Sequence, residues 1–372
     1  MACGRISRTM TETLQTAPKP RLKFIDLARA IAILLMLEGH FVGLVLADQD
    51  GYAGHPVYEA WNFVRGFTAP LFFTVAGMIF AYLLSGETEG DFFKRVRVRK
   101  GIKRAVELFF WGYVLQLSVK NFGKYLRLDF DSWVFAFHVL QCIGFGLVGL
   151  MGIAAIQDRF RRVALQWWYC VAVAGCMAFY VWLKSLPEGA YVPAGWPQVF
   201  QNAVRGPHSV FPLAPWVAFA FLGGAIGVAV RKYKEHLVTV RSCVWFFAAA
   251  AFMKLLWLAV VAVPGIPVSS SEGLAWFTGR AAEVLVFLGL LRWVEIRFGI
   301  GLPRLLCVGR MTFEIYIAHV IVLYGGLFGF GLDQWISGNL NPWQAAGGAA
   351  VFLTVFFFFA QAVDAWKKWQ AK

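Results

Sequence analysis

RLKFIDLARAIAILLMLEGH, residues 21–40, decides the fold class of this chain. From Phe24 onward it opens an apolar run long enough to cross a bilayer core, which needs about 20 such residues. The run nevertheless holds Asp26, Arg29, Glu38 and His40. Asp26 and Arg29 stand one helical turn apart. His40 follows Arg29 by eleven residues. At about 3.6 residues per turn that is three turns, so both side chains leave nearly the same helix face, roughly 16 Å apart along the axis. An ionisable side chain at the centre of a bilayer costs about 2.5–3.5 kcal/mol on insertion scales, so its presence marks a candidate functional site. A plainer account stays open: an Asp26–Arg29 anchor at the helix end and a packed interior histidine.

Similar apolar runs recur along the 372 residues. The chain is 59% hydrophobic and only 15% charged, against about a quarter charged in soluble domains. The runs are unbroken rather than alternating, which excludes a β-barrel. The expected fold is therefore all-α, a polytopic membrane protein. Ten spans are predicted near 24–47, 61–84, 105–122, 132–156, 164–183, 211–230, 242–264, 274–293, 305–329 and 342–365. They form a single domain over 24–365, between a tail at 1–23 and a short tail at 366–372. The polar, basic N-terminus lacks a short signal-peptide core, so the first span is expected to be retained as an anchor.

The net charge of +14 could suggest nucleic acid, but its distribution does not. On the ten-span reading, 25 Lys and Arg fall on one side of the membrane, five on the other and five inside spans. This positive-inside bias puts both termini in the cytoplasm and loops 48–60, 123–131, 184–210, 265–273 and 330–341 outside. The prolines of 184–210 (Pro187, Pro193, Pro197 and Pro207) suggest a partial cap. Five of the six cysteines fall in apolar runs and none forms a CxxC pair; they read as small hydrophobes. No HExxH or Cys/His ligand spacing occurs, so no metal is expected.

On that topology His40, His55, His138, His208 and His319 lie toward the outer side, and His236 alone is cytoplasmic. Histidine is the usual general acid–base near neutral pH, so a shared outer pocket is one reading and separate packing histidines the other. Arg280 with Glu283, and Arg310 with Glu314, have the spacing of same-helix ion pairs. Arg65, Lys254, Glu38 and Glu107 have no obvious partner on their own helix. The run FFKRVRVRKGIKR, 92–104, sits on the basic side. It reads either as a topology signal touching anionic lipid or as a binding patch for a phosphorylated ligand such as coenzyme A, since the guanidinium fork suits phosphate.

Five stretches carry a family resemblance. RLKFIDLARAIAILLMLEGH, with its Arg-x10-His spacing at Arg29 and His40, resembles the first-span signature of the transmembrane acyltransferases. These include heparan-α-glucosaminide N-acetyltransferase and the bacterial acyltransferase-three membrane family. Ala30 stands where that signature has Gly. FVRGFTAPLFFTVAGMIFAYLL, 63–84, resembles the second span; HVLQCIGFG, 138–146, resembles a V-L-Q-x-x-G motif of the glucosaminide branch. VFPLAPWVAFAFLGGAIG, 210–227, and VGRMTFEIYIAHV, 308–320, resemble the Phe-Pro-x-x-Pro-Trp and Gly-Arg…Tyr-x-x-His segments.

The resemblance implies acetyl-CoA, or another acyl-CoA, reaching the cytoplasmic side, and a sugar, glycan or glycolipid acceptor on the other. It implies a catalytic histidine, His40 by one branch and His55, fifteen residues before Pro70, by the other. Arg29, held by Asp26, would guide the donor; Arg95, Arg97, Arg99, Arg104 and Arg65 would bind its nucleotide end. His138, Gln141, His208, Arg280, Glu283, Arg310 and His319 are the candidates for the acceptor. The expected protein is thus an O- or N-acyltransferase of a bacterial inner membrane, surrounded by lipid, with a homodimer left open and no nucleic-acid partner. The alternative is a proton-coupled transporter or flippase, against which stands the lack of repeated halves and of paired broken helices. A non-catalytic component of envelope-polysaccharide assembly is a third, weaker reading.

Overall fold

A computed structural model of the chain describes residues 22–187, 195–233, 239–262 and 268–371, and the side chains of 268–271 are not described. His236, Cys3, Pro193, Lys234, Lys372 and nearly all of the 1–23 tail lie outside the described residues.

The described residues are helical, with only three isolated β-bridges. The main helices are α1 (Lys23–Val45), α2 (Pro56–Leu84), α3 (Val96–Val114), α4 (Val139–Arg159), α5 (Leu165–Ser185), α6 (Leu213–Lys232), α7 (Arg241–Ala262), α8 (Val268–Phe298), α9 (Pro303–Arg310), α10 (Thr312–Tyr324) and α11 (Pro342–Gln370). Local sequence explains their ends. α2 and α11 begin with Pro at the first position, where a missing N–H costs nothing. Asn341 and Gln344 close a capping box on α11, satisfying N–H groups that a helix start leaves free. α10 stops at Gly325, which takes the left-handed conformation at φ 66° that glycine adopts without strain.

Among the described residues, eight helices are long and apolar enough to cross a membrane, and the α9–α10 pair would make a ninth despite its 71° bend. The chain is an all-α polytopic membrane protein. α5, α7 and α11 bury the smallest share of their apolar windows, 11%, 11% and 22%, as helices facing lipid do.

Two expectations need correction. The third span, expected at 105–122, falls on α3, which begins earlier at Val96, ends at Val114 and is not among the helices long and apolar enough to cross a membrane. Nothing in VRVRKGIKR breaks a helix, and Val98, Gly101, Ala105, Leu108 and Gly112 form one buried stripe. The basic residues occupy the other faces, so this is a charged amphipathic helix. Glu107 consequently does have partners on its own helix, Arg104 at 3.3 Å and Lys103 at 4.0 Å. The expected span 305–329 is broken at Met311, between α9 and α10. The bend takes Arg310 and Glu314 off a common helix face. Glu314 pairs with Lys367 of α11 instead.

Glycines set two close helix crossings. A Cβ at Gly223 of α6 would lie 1.9 Å from the Thr74 carbonyl oxygen of α2, and one at Gly227 would lie 2.2 Å from that of Met78. A Cβ at Gly309 of α9 would lie 2.0 Å from the Asp26 carbonyl of α1. Small residues at such seams let backbones touch, the usual basis of helix packing in lipid. The Lys23 amide binds Glu295 near the end of α8, and Lys367 binds Glu314. Arg104 of α3 lies over Phe313, the neighbour of Glu314, so the start of α1, the end of α11 and the arginine-rich run of α3 share one end of the bundle, termed the basic end below.

Candidate active site

α1, α2, α3, α4 and α10 enclose a cavity of about 950 Å³. Arg29, Ala32, Met36, Gly39 and His40 line it from α1, the single stripe that the sequence spacing requires.

Two guanidinium groups reach the cavity toward the basic end. Arg29 donates from Nη2 to Thr312 Oγ1 at 2.9 Å and lies 4.0 Å from Asp26. Thr312 is the first residue after the α9–α10 break, so the bend supplies Arg29 with its partner. Arg104 lies over the Phe313 ring at 3.8 Å. Arg29 feels the charges of Asp26, Arg104, Glu314 and Arg310. Two cations held by aromatic, hydroxyl and carboxylate groups on a cavity wall suit phosphate oxygens.

Eleven residues along α1, His40 Nδ1 sits 3.0 Å from His319 Nε2 of α10. One of these nitrogens must carry the shared proton and the other accept it. The second nitrogen of His319, Nδ1, is buried and has no hydrogen-bond partner. Where His319 Nε2 accepts, the shared proton sits on His40 Nδ1, the tautomer that a general base at this position needs. His40 Nε2 is then the basic lone pair. Tyr316 packs edge-on to His319 at 4.9 Å, and Tyr324 to His40 at 6.1 Å. Arg65 runs beside this pair. A Cβ at Gly43 would lie 3.0 Å from its guanidinium, which also stacks on Trp61 at 5.3 Å. Trp61 in turn donates to Glu38 at 2.8 Å, the partner that Glu38 lacks on its own helix.

The remaining candidates divide into two groups. His138 and Gln141 line the cavity at the start of α4, with the His138 ring 5.2 Å from Trp133. His208 lies beside them but outside the cavity lining, bonded to Ser132 at 2.9 Å. His55 is the exposed residue before Pro56, away from the cavity. Arg95 turns inward to Asp158 at 2.9 Å and to loop carbonyls of Thr88 and Gly90. Arg97 faces Glu87 at 3.7 Å, and Arg99 is exposed on α3. Arg280 pairs with Glu283 at 2.9 Å and caps the Phe63 carbonyl at 3.2 Å. Arg310 lies at the end of α9. Lys254 folds over the Trp257 ring at 3.7 Å. Among the described residues, no group of three or more His, Cys, Asp or Glu could hold a metal ion.

Sequence reasoning missed Thr312, Phe313, Tyr316, Tyr324, Gln116 and Asp333, all lining the cavity. Apart from Gln116, they sit on or just after α10 and become neighbours of α1 only through the bend at Met311, which no proline or glycine at that position announces.

Residues 21–261 match the family described as heparan-alpha-glucosaminide N-acetyltransferase, catalytic. The chain belongs to this family. No curated protein matches it. Membership gives the chain the general character of a membrane acetyltransferase, and acetyl-CoA is the donor that such acetyltransferases use. Arg29, His40, His55, Arg104 and Gln141 fall inside the matched span; Thr312, His319 and Tyr324 fall beyond it. The cavity is thus built from parts of the family's matched segment together with α10 and the residues just after it.

Proposed function

We propose that this chain moves an acyl group, in the first instance acetyl, from acyl-CoA to a hydroxyl or amine of an extracytoplasmic sugar, glycan or glycolipid. The observation that carries the reading is the continuous cavity lined by Arg29 and Arg104 toward one end and by His40, backed by His319, farther along. Arg29 and Arg104 would receive the phosphates of the donor, entering from the basic, cytoplasmic end. The axial separation of Arg29 and His40 is roughly 16 Å, of the order of an extended pantetheine arm. His40 Nε2 takes the proton of the acceptor as its oxygen or nitrogen attacks the thioester carbon. The tetrahedral oxyanion, which the Arg65 guanidinium would stabilise, collapses with loss of the coenzyme A thiolate. The imidazolium returns its proton to that sulfur. The basic end is cytoplasmic in this reading, residues 24–365 form one acyltransferase domain, and the setting is a bacterial inner membrane.

The test is acetyl-CoA binding and consumption by the purified protein in detergent. Arg29→Gln and Arg104→Gln are each expected to raise the acetyl-CoA Kd by about 10–150-fold, the worth of a hydrogen bond to a charged group. Arg99→Gln, on the exposed face of α3, is expected to leave it unchanged. Absence of acyl-CoA binding, together with proton-dependent uptake in proteoliposomes, would replace this reading with the transporter.

A further inference from the structure

Three side chains on the cavity wall hold buried polar atoms without partners, Gln116, Gln141 and Asp333, and the two glutamines are neighbours. Gln116, just past the end of α3, and Gln141, in the first turn of α4, both line the cavity. Gln116 Nε2 donates to the carbonyls of Gly112 at 2.7 Å and Ala136 at 3.1 Å. Its Oε1 is buried and bonds nothing. Gln141 is fully buried, and its Oε1 accepts from the His138 amide at 3.3 Å, closing the cap of α4. Its Nε2 is likewise buried and bonds nothing.

Neither amide can be turned round. Flipping Gln116 would set its oxygen against two carbonyl oxygens. Flipping Gln141 would set its NH₂ against the N–H of His138. The hydrogen-bond network therefore fixes both orientations, and one acceptor, Gln116 Oε1, and one donor, Gln141 Nε2, are left unpaired just beneath the cavity surface. The two side chains are neighbours through Gly112, where a Cβ would lie 2.7 Å from the Gln141 amide carbon. A buried polar group left unpaired costs about 1–3 kcal/mol, so two complementary ones in a cavity wall mark a place where a ligand completes the bonding.

Their depth is informative. Arg29 and Arg104 lie toward the basic end, and α1 and α3 run in the same direction from it. His40 is eleven residues past Arg29, and Gln116 twelve past Arg104. At 1.5 Å per residue both sit roughly 16–18 Å from the arginines, at the level where the reacting carbon would lie.

We propose that Gln116 and Gln141 form an amide-reading site, Gln116 Oε1 accepting the N–H of a ligand amide and Gln141 Nε2 donating to its carbonyl. The ligand class rests on the acyltransferase reading. The pantetheine arm of acyl-CoA has an amide two methylenes from the thioester sulfur, and an N-acetylated sugar has one in its acetamido group. Held by the first, the site would fix the thioester beside His40; held by the second, it would select an acetamido sugar. Both glutamines are positioning residues.

The experiment compares wild type, Gln116→Met, Gln141→Met and Gln141→Glu, the last of which keeps an oxygen for the His138 amide and so preserves the helix cap. The probes are acetyl-CoA, 3′,5′-ADP, which has the phosphates without the pantetheine arm, and N-acetylglucosamine. The expected result is an acetyl-CoA Kd raised about tenfold per lost hydrogen bond, with 3′,5′-ADP binding held within twofold. A loss confined to N-acetylglucosamine would support the same site and assign it to an acetamido sugar. Equal weakening of acetyl-CoA and 3′,5′-ADP, or no change for any probe, overturns the inference. If wild type binds neither acetyl-CoA nor 3′,5′-ADP, the acyltransferase reading fails by itself, and the N-acetylglucosamine comparison alone decides the amide site.

Discussion

His40→Ala is expected to lower acetyl transfer by about 10²–10⁴-fold, the range of a positioned general base, and to leave the acetyl-CoA Kd within a few-fold of wild type. The imidazole makes no contact with Arg29 or Arg104, so donor binding and proton removal are separable. His319→Ala is expected to give a smaller loss in kcat, because His40 survives but loses the acceptor that fixes its Nδ1 proton. His319→Gln should recover much of that loss, since a glutamine carbonyl can accept from His40 Nδ1–H. A purely structural role for His319 would not distinguish glutamine from alanine in this way. His55→Ala, at an exposed position away from the cavity, is expected to turn over normally. Single-turnover transfer from acetyl-CoA, with equilibrium binding measured on the same preparations, checks all four. A His40→Ala protein at wild-type rate, or a His55→Ala protein that binds donor but does not react, would move the base out of the cavity.

Much of this arrangement is legible along α1. Its apolar run, the turn between Asp26 and Arg29 and the three turns from Arg29 to His40 are periodic facts. A helix preserves them, so the stripe Arg29–Ala32–Met36–Gly39–His40 lines the cavity as the spacing demands. Contacts between helices are less legible. His40 meets His319 across 279 positions, and no local pattern pairs those two among six histidines. Arg310 and Glu314 mislead because an i, i+4 spacing means a pair only where the helix continues, and at Met311 it does not. The basic run 92–104 misleads in the other direction. Read as a loop, its arginines are one patch; wound into α3 and the turn before it, they separate. Arg104 reaches the cavity, Arg95 turns inward to Asp158 and Arg99 faces outward. A helix disperses neighbouring residues around its circumference, so a charge cluster in sequence need not be one in space.

Gly309→Ala is expected to cost about 10²-fold in turnover and about 1–3 kcal/mol in stability, although Gly309 does not line the cavity. A Cβ there would stand 2.0 Å from the Asp26 carbonyl oxygen and 3.1 Å from the Ala30 amide nitrogen. Both are backbone atoms of α1, so no side chain can rotate away, and α9 must withdraw by at least about 1.4 Å to restore ordinary contact. Overpacking of this kind typically costs about 1–3 kcal/mol. Ala30, whose amide nitrogen faces this seam, is itself fully buried. The functional loss follows from what α9 leads into. One residue past Arg310 the chain bends, and the next helix starts with Thr312, whose hydroxyl holds Arg29, and continues to His319, which holds His40. Moving α9 off α1 therefore shifts both partners at once, and a displacement of about 1 Å can cost on the order of 10²-fold in rate. Gly347→Ala is the control: it lies in α11 with open space around its added carbon and should be neutral or stabilising by about 0.5–1 kcal/mol. The comparison is made by thermal unfolding in detergent and by transfer rate. A Gly309→Ala protein that melts and reacts like wild type would mean that α1 and α9 do not meet at this seam, and the coupling of Arg29 and His40 through one bent helix pair would fall with it.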